Sequence, residues 1–138
     1  MGMTHYKSLR RWIKSKMVID MDKIARVLYK YRTRASNYFE LTRTGAVLFK
    51  ASFEGRYLIL VYLLAKLYQL IAGLGDREDA SIKEILELPF PVELDIDSEL
   101  NRLLKDDLVR RSNRGYCLNY RRLAEIFDLL DDYLAAQA

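Results

Sequence analysis

A run of Lys and Arg side chains between Lys7 and Arg34 has the most readily defined chemistry in this sequence. No Asp or Glu lies between Lys23 and Glu40, and three of the cations in this region recur at helical spacing. Ammonium and guanidinium groups in such a stripe either cover a solvated helix face or neutralise the phosphates of a nucleic acid. The candidate phosphate-contacting residues are Lys7, Arg10, Arg11, Lys14, Lys23, Arg26, Lys30, Arg32 and Arg34.

The net charge of +4 is distributed unevenly along the 138 residues. Residues 1–56 carry thirteen Lys and Arg against four Asp and Glu, a net charge of +9, whereas the remainder carries ten against fifteen, a net charge of −5. A basic half joined to an acidic half predicts that an anionic partner contacts one face of the molecule only.

The other reactive side chains do not form a recognisable catalytic or metal-binding set. Cys117 is the single cysteine and His5 the single histidine, which excludes an internal disulfide and a Cys/His zinc site. The sequence has no Gly-rich phosphate loop and no Ser/His/Asp grouping, and the acids at 95, 97 and 99 are more simply helix caps than metal ligands. We therefore expect no enzymatic activity, no cofactor and no metal, with Cys117 as a small buried hydrophobe.

Composition is typical of a folded protein. About half of the residues are apolar, enough for one domain or for two very small ones that share a core. The single cysteine fits a reducing compartment and no secretion signal opens the sequence, so a cytoplasmic location is expected. The longest apolar segment, residues 57–72, includes Lys66 and Gln69 and is shorter than the roughly 20 residues that span a membrane. Abundant charge and few Gln favour a thermophilic source.

Hydrophobic spacing predicts mostly helical elements in the first half of the chain. A short helix over residues 6–17 has Leu9 and Trp12 on its apolar side, and its exposed part is almost purely cationic. A second helix, whose first amides Asp20 can cap, runs to about Tyr31.

The second half begins with a helix over residues 57–72, which is apolar on nearly every side and is therefore predicted to be central and buried. Ser81 and Glu84 have the spacing of a capping box and open a short helix that ends before the prolines at 89 and 91. The elements that follow are a helix capped by Asp95 or Asp97, a strand over 108–111, a turn over 112–115, a return strand over 116–118 and a last helix capped by Asn119.

This order of helices followed by a hairpin and a closing helix resembles the winged helix-turn-helix superfamily over residues 56–136. The predicted fold is mainly α with a small β-hairpin wing, in which a winged-helix domain over 56–138 follows a basic helical segment over 1–55. The resemblance implies DNA binding, with the third helix in the major groove and the wing against the backbone. By position it makes Ser98, Asn101, Arg102 and Lys105 candidate base-reading residues, and Arg110, Arg111 and Arg114 candidate wing contacts to phosphate.

Two features depart from the pattern of that superfamily. About seven residues with two prolines separate the second and third helices, where the usual turn is tight. Residues 93–107 carry six acids against Arg102 and Lys105, a net charge of −4, and the phosphates of duplex DNA repel such a surface. Insertion of the third helix into a groove therefore requires that the side bearing Arg102 and Lys105 alone faces DNA.

Residues 38–51 allow two interpretations. Propensity favours two strands that close as a hairpin. Against this, the segment 41–45, Leu-Thr-Arg-Thr-Gly, resembles the leucine-threonine-x-x-glycine pattern that ends the wing and opens the next helix in many winged-helix repressors. We prefer the second interpretation, with a strand to Leu41 and a helix capped by Thr42.

The sequence also contains an internal echo. An offset of 76 aligns Ile24 with Leu100, and one insertion then pairs Leu41 with Leu118. If the echo is genuine, the basic helix that follows Asp20 is itself a recognition helix with a rudimentary wing. The alternative is that helical apolar spacing alone produces the matches.

Together these patterns predict a nucleic-acid-binding protein, in the first place a DNA-binding transcriptional regulator or chromatin-associated protein. Tyr29, Tyr31 and Tyr38 lie among the cations and are candidates for stacking on unpaired bases, which leaves RNA and single strands open. The alternative is a protein-interaction subunit of a transcription or replication complex, whose winged helix binds a partner through the acidic third helix. The apolar stripe of the last helix, residues 120–134, is either core or the seam of a homodimer.

Overall fold

The core is built around one long helix, residues 56–71, whose side chains are buried on nearly every side. The computed structural model describes residues 2–16 and 20–137, so the predicted end of the first helix at Met17 lies outside the described residues. The helices are α1 (Gly2–Lys16), α2 (Met21–Lys30), α3 (Arg32–Ala35), α4 (Arg56–Ile71), α5 (Ile82–Leu86), α6 (Ile96–Lys105) and α7 (Leu123–Gln137), with a 3-10 turn at Tyr120–Arg122. The strands are β1 (Phe39–Leu41), β2 (Val47–Phe49), β3 (Val109–Arg111) and β4 (Tyr116–Leu118). The predicted mainly helical class is confirmed, and it includes two antiparallel hairpins.

Helix α4 is buried on nearly every side because most of its side chains are apolar and other elements pack around them. Both hairpins, α6 and α7 pack against it. It ends at Gly73, which has a φ of 72° and places the N–H of Leu74 2.8 Å from the carbonyl oxygen of Gln69, a closure that satisfies the last free carbonyls. Within the described part of the chain, no helix combines the length and apolarity needed to cross a membrane.

Helix α2 begins where the sequence predicts because Asp20 caps it. The Asp20 carboxylate accepts hydrogen bonds from the backbone N–H groups of Asp22 at 3.0 Å and Lys23 at 3.3 Å. Ile24 and Leu28 are buried, which fixes the side of α2 that faces the core.

Residues 38–51 form a hairpin, so the preferred prediction of a helix capped by Thr42 is wrong. The register pairs Phe39 with Phe49 and Leu41 with Val47. The Thr42 hydroxyl accepts a hydrogen bond from the N–H of Ala46 at 2.9 Å, which closes the turn instead of opening a helix. Gly45, with a φ of 89°, completes the turn, and a Cβ there would lie 2.6 Å from the Leu74 carbonyl oxygen. The same Thr and Gly therefore serve a turn between two strands.

The second hairpin follows α5 and α6 in the predicted order. The capping box of Ser81 and Glu84 opens α5, and Asp95 caps α6. Strands β3 and β4 pair Val109 with Leu118, and a single bridge between Ala80 and Tyr116 adds a third antiparallel segment. In the turn, a Cβ on Gly115 would lie 2.0 Å from the Ala80 carbonyl oxygen, so only glycine permits this approach.

The internal echo corresponds to a repeated order of elements but in a different register. Both α2 and α6 are ten residues long and begin after a capping aspartate, Asp20 or Asp95, an offset of 75. Leu41 ends the first strand of its hairpin, whereas Leu118 ends the second strand, where its counterpart is Phe49. The predicted alignment of Leu41 with Leu118 is therefore wrong, because the two residues end different strands of their hairpins.

Helix α7 joins the two halves of the chain. Leu123, Phe127 and Leu130 are buried, so the stripe of the last helix is core, and its use as a dimer seam has no support. The Phe127 ring stacks on Tyr31 with ring centroids 4.7 Å apart. Residues on both sides of the predicted division at 55/56 thus contribute to one hydrophobic core.

Candidate nucleic-acid interface

Helix α1 carries cations on one side and exposed apolar side chains beside them. Lys7, Arg10, Arg11 and Lys14 are exposed, and none of them has a carboxylate within 4 Å among the described side chains. The neighbouring side chains Tyr6, Leu9 and Trp12 are more than half exposed. The prediction of an almost purely cationic exposed part is therefore wrong.

Helix α2 and the residue that begins α3 present a second group of cations. Lys23, Arg26, Lys30 and Arg32 are exposed. In the part of the chain that the structure describes, no carboxylate lies within 4 Å of these four groups. That these four groups contact phosphate stays a prediction.

Arg34 is different, because two carboxylates of α7 already neutralise it. Its Nε lies 2.6 Å from Oδ2 of Asp131, and its Nη2 lies 2.8 Å from Oδ1 of Asp128. The hydrogen bond to Asp128 raises the pKa of the guanidinium, as do the hydrogen bond to Asp131 and the negative charge of that carboxylate. Partial burial acts in the opposite direction but is outweighed. The assignment of Arg34 as a phosphate contact is corrected to an ion pair that fastens α3 to α7.

The three tyrosines proposed for base stacking lie in different environments. Tyr38 is fully buried and donates a hydrogen bond to Oδ1 of Asp131 at 2.5 Å, and burial is the main reason its pKa is raised. Tyr31 is half-buried against Phe127. Tyr29 alone of the three is exposed, with 67% of its surface accessible. The prediction is therefore wrong for Tyr38, because its ring belongs to the core.

The outward side of α6 carries the candidate base-reading residues. Leu100 and Leu103 are buried, and successive helix residues are about 100° apart. This geometry places Ser98, Arg102 and Lys105 opposite the core, with Asn101 on their flank. All four of these side chains are exposed, and the Ser98 hydroxyl donates to Asp95 at 2.9 Å.

Several acids around α6 have structural roles, and the sequence predicts only the helix caps among them. Asp95 accepts from the Ser98 N–H at 3.2 Å as the helix cap, and these hydrogen bonds from Ser98 lower its pKa. Glu99 accepts from the Arg56 N–H at 3.2 Å and so satisfies the start of α4. Asp107 lies 3.7 Å from Arg110 and 4.0 Å from Arg122. The net charge of this segment therefore overstates the repulsion that a phosphate meets on the outward side.

The second hairpin exposes the three predicted wing arginines. Arg110, Arg111 and Arg114 are exposed, and Arg110 makes the ion pair with Asp107. Within the described ranges, no carboxylate lies within 4 Å of Arg111 or Arg114.

The structure does not bring the basic helix α2 and the outward side of α6 to one point. The Tyr68 hydroxyl donates to the Leu28 carbonyl oxygen at 2.8 Å, which anchors α2 near the C-terminal end of α4. Glu99 anchors α6 at Arg56, the first residue of α4. These anchor points are twelve residues apart on one helix, about 18 Å at 1.5 Å per residue. The two surfaces are therefore separate parts of the molecule.

A groove between α2 and the end of α4 was not predicted from the sequence. It has a volume of about 650 Å³ and is open to solvent. The residues that line it are Asp22, Ala25, Arg26, Leu28, Tyr29, Arg32, Tyr68 and Ile71. The sequence contains one signal for this groove, a stripe at i, i+3, i+4 and i+7 formed by Asp22, Ala25, Arg26 and Tyr29. This stripe borders both the cationic side and the buried side of α2.

The remaining ionisable clusters hold elements together. Asp79 accepts from Ser112 at 2.6 Å and from Arg77 at 2.8 Å, and these bonds lower its pKa although burial would raise it. Cys117 is half-buried in β4, where burial raises the pKa of its thiol. Among the described residues, no group of three His, Cys, Asp or Glu side chains is arranged to hold a metal ion.

Comparison with known proteins adds no relative to this picture. No protein-family model matches the chain, and no curated protein or solved structure matches it. Function is therefore inferred from charge, exposure and geometry.

Proposed function

We propose that this protein binds nucleic acid and acts as a DNA-binding transcriptional regulator or a chromatin-associated protein. The observation that carries the proposal is the set of exposed cations on α1, α2 and the start of α3, which have no carboxylate partner in the described part of the chain. A phosphate backbone supplies the missing negative charges and releases its counterions on binding.

The second half of the chain supports a secondary contact in the same proposal. The order of α4, α5, α6 and the β3–β4 hairpin is the order expected for a winged helix. The outward side of α6 presents Arg102 and Lys105, and Asp95 and Glu99 are occupied by backbone amides. We propose that this side and the wing arginines add phosphate or base contacts to those of the basic helices.

The test is a titration of labelled duplex DNA, single-stranded DNA and RNA of one sequence at about 50 and 200 mM salt, followed by fluorescence anisotropy. We expect binding that weakens steeply with salt. Reversal of charge in Lys23→Glu/Arg26→Glu/Lys30→Glu should weaken binding more than Arg102→Glu/Lys105→Glu. Lys83→Glu, an exposed cation of α5, is the control for a change in net charge. Absence of binding at the lower salt concentration would overturn the proposal.

A protein-interaction subunit is the second candidate, and one observation favours it. Ile82 and Leu86 are exposed one helical turn apart on α5, and Val92, in the connection to the acidic α6, is fully exposed. Exposed apolar side chains beside a charged helix suit the centre of a protein interface. This candidate predicts a partner that is retained by the wild-type protein and lost in Leu86→Ser, without a change in nucleic-acid binding.

A further inference from the structure

The groove between α2 and α4 carries an inference that rests on the proposed function and deepens it. We propose that this groove holds an unpaired nucleobase of a single-stranded nucleic acid, with the base against Tyr29 and its flanking phosphates beside Arg26 and Arg32. Duplex DNA keeps its bases paired and stacked, so a base can enter only from a single strand or after extrusion.

The stacking surface is already assembled. The guanidinium carbon of Arg32 lies 3.8 Å from the centroid of the Tyr29 ring. The Nη1 of the same arginine donates to the Tyr29 carbonyl oxygen at 2.8 Å, which holds the guanidinium in place. Unpaired bases stack on aromatic rings and on guanidinium planes. Here the guanidinium covers one face of the Tyr29 ring, so a base can stack on the other face of the ring or on the outer face of the guanidinium.

The walls of the groove suit a flat apolar face. Leu28 is buried beneath it, and Ile71, nearly half exposed, lies on the α4 side. The Tyr68 hydroxyl is bonded to the Leu28 carbonyl oxygen, and burial raises the pKa of Tyr68 to about 12, so this wall is uncharged near neutral pH. A volume of about 650 Å³ lies within the range of sites that take small organic groups.

Charge selects a nucleotide over an acidic peptide. Arg26 and Arg32 have no carboxylate within 4 Å among the described residues, so a phosphate can pair with each of them. Asp22 lines the same groove seven residues before Tyr29, about 10 Å along the helix. An acidic helix laid along the groove would place negative charge against Asp22, whereas a base at Tyr29, with its flanking phosphates beside Arg26 and Arg32, is displaced from that carboxylate by about 10 Å along the helix.

The experiment uses the full chain and a single strand of twelve nucleotides with one 2-aminopurine, whose fluorescence falls when it stacks. We expect quenching on binding to the wild-type protein. Tyr29→Ala should lose the quenching and about tenfold in affinity, the loss typical of one stacked base. Tyr29→Phe should keep both, because the ring and not the hydroxyl does the stacking. The control is Tyr6→Ala, which removes an equally exposed tyrosine from the basic helix α1.

The annealed duplex of the same sequence separates this inference from the proposed function. Tyr29→Ala should bind the duplex within about twofold of the wild-type protein. If Tyr29→Ala binds the single strand with the affinity and the quenching of the wild-type protein, the inference is overturned, whereas the proposal of duplex binding is unaffected. Tyr29-dependent binding of an acidic amphipathic peptide, or Tyr29-dependent dimerisation, without quenching by the strand would also overturn it. Failure of the wild-type protein to bind any of the nucleic acids would remove the proposed function as well.

Discussion

The two helix–hairpin units of this chain share an order of elements and differ in how their charges are used. In the first unit, α2 and the short α3 are followed by the β1–β2 hairpin, and in the second, α6 is followed directly by the β3–β4 hairpin. Both helices begin after a capping aspartate and both hairpins pack on α4. The cations of α2 have no carboxylate partners among the described residues, whereas the acids around α6 cap helices and pair with arginines. A similar order of elements thus presents different surfaces, and exposed charge distinguishes the two units better than topology does.

The largest expected effect tests whether the two units are energetically separate. Leu28→Ala in α2 and Leu103→Ala in α6 remove comparable buried side chains. Each change should lower the free energy of unfolding by about 2–5 kcal/mol, because each leaves a cavity in the shared core. Chemical denaturation followed by circular dichroism should show one transition for both variants. Two separate transitions would show that the units fold independently and would contradict the shared core.

Charge reversal sharpens the comparison at the surface. Lys23→Glu/Arg26→Glu/Lys30→Glu should reduce duplex affinity about 10²–10³-fold at 0.1 M salt, since each lost phosphate contact removes about 0.9 from the salt slope. Arg102→Glu/Lys105→Glu should cost no more than about tenfold, because the outward side of α6 is a secondary contact. Equal losses of duplex affinity, measured by anisotropy, would show that both units contribute equally to binding.

Two ion-paired carboxylates, Asp131 on α7 and Asp107 after α6, give a smaller contrast. Asp131→Asn weakens the bonds to Arg34 and Tyr38 and should lower stability by about 1 kcal/mol, a value kept small by partial exposure. Asp107→Asn in the second unit should cost under about 0.5 kcal/mol, because its ion pairs are long and its positive φ suits asparagine. Thermal melts of the two variants measure the difference, and a larger loss for Asp107→Asn would reverse the ranking.

The smallest expected effect is the pH dependence that arises from Asp79, in the connection between α4 and α5. The pKa of Asp79 is lowered in the folded protein, so its contribution is fully present above the ordinary aspartate pKa of about 3.9 and is lost as the pH falls through the lower folded value. Below about pH 4 the free energy of unfolding of the wild-type protein, measured by chemical denaturation, should therefore decrease as the pH falls. The decrease should be smaller in Asp79→Asn. Ser112→Ala, which removes one donor to Asp79, should fall between them. Identical pH profiles for the three proteins would exclude Asp79 as the source.

The features that the sequence predicts well are those set by neighbouring residues. The buried helix α4, the capping box at Ser81 and the caps at Asp20 and Asp95 depend on spacings of a few residues, and all are confirmed. The Thr42 segment was predicted wrongly because one Thr-x-x-Gly pattern satisfies either a helix cap or a hairpin turn.

The candidate site was harder to predict because its contacts are distant in sequence. Arg34 meets carboxylates 94 and 97 residues away, so no local pattern distinguishes it from the free cations beside it. The groove at Tyr29 needs Tyr68 and Ile71 from another helix. Local periodicity predicts the cationic stripe of α2. Only the packing shows that neighbouring side chains such as Arg34 and Tyr38 contact α7 and the core instead of solvent.

The two glycines in the hairpin turns restrict how far apart the turns can lie. Gly45 abuts the backbone of Leu74 and Gly115 abuts that of Ala80, so both turns rest on one short connection. Residues 74–80 span six Cα–Cα steps, which reach at most about 20 Å, so this connection limits the separation of the two turns. Inserted residues in this connection would raise that upper limit, while the packing of both hairpins on α4 would keep their spacing.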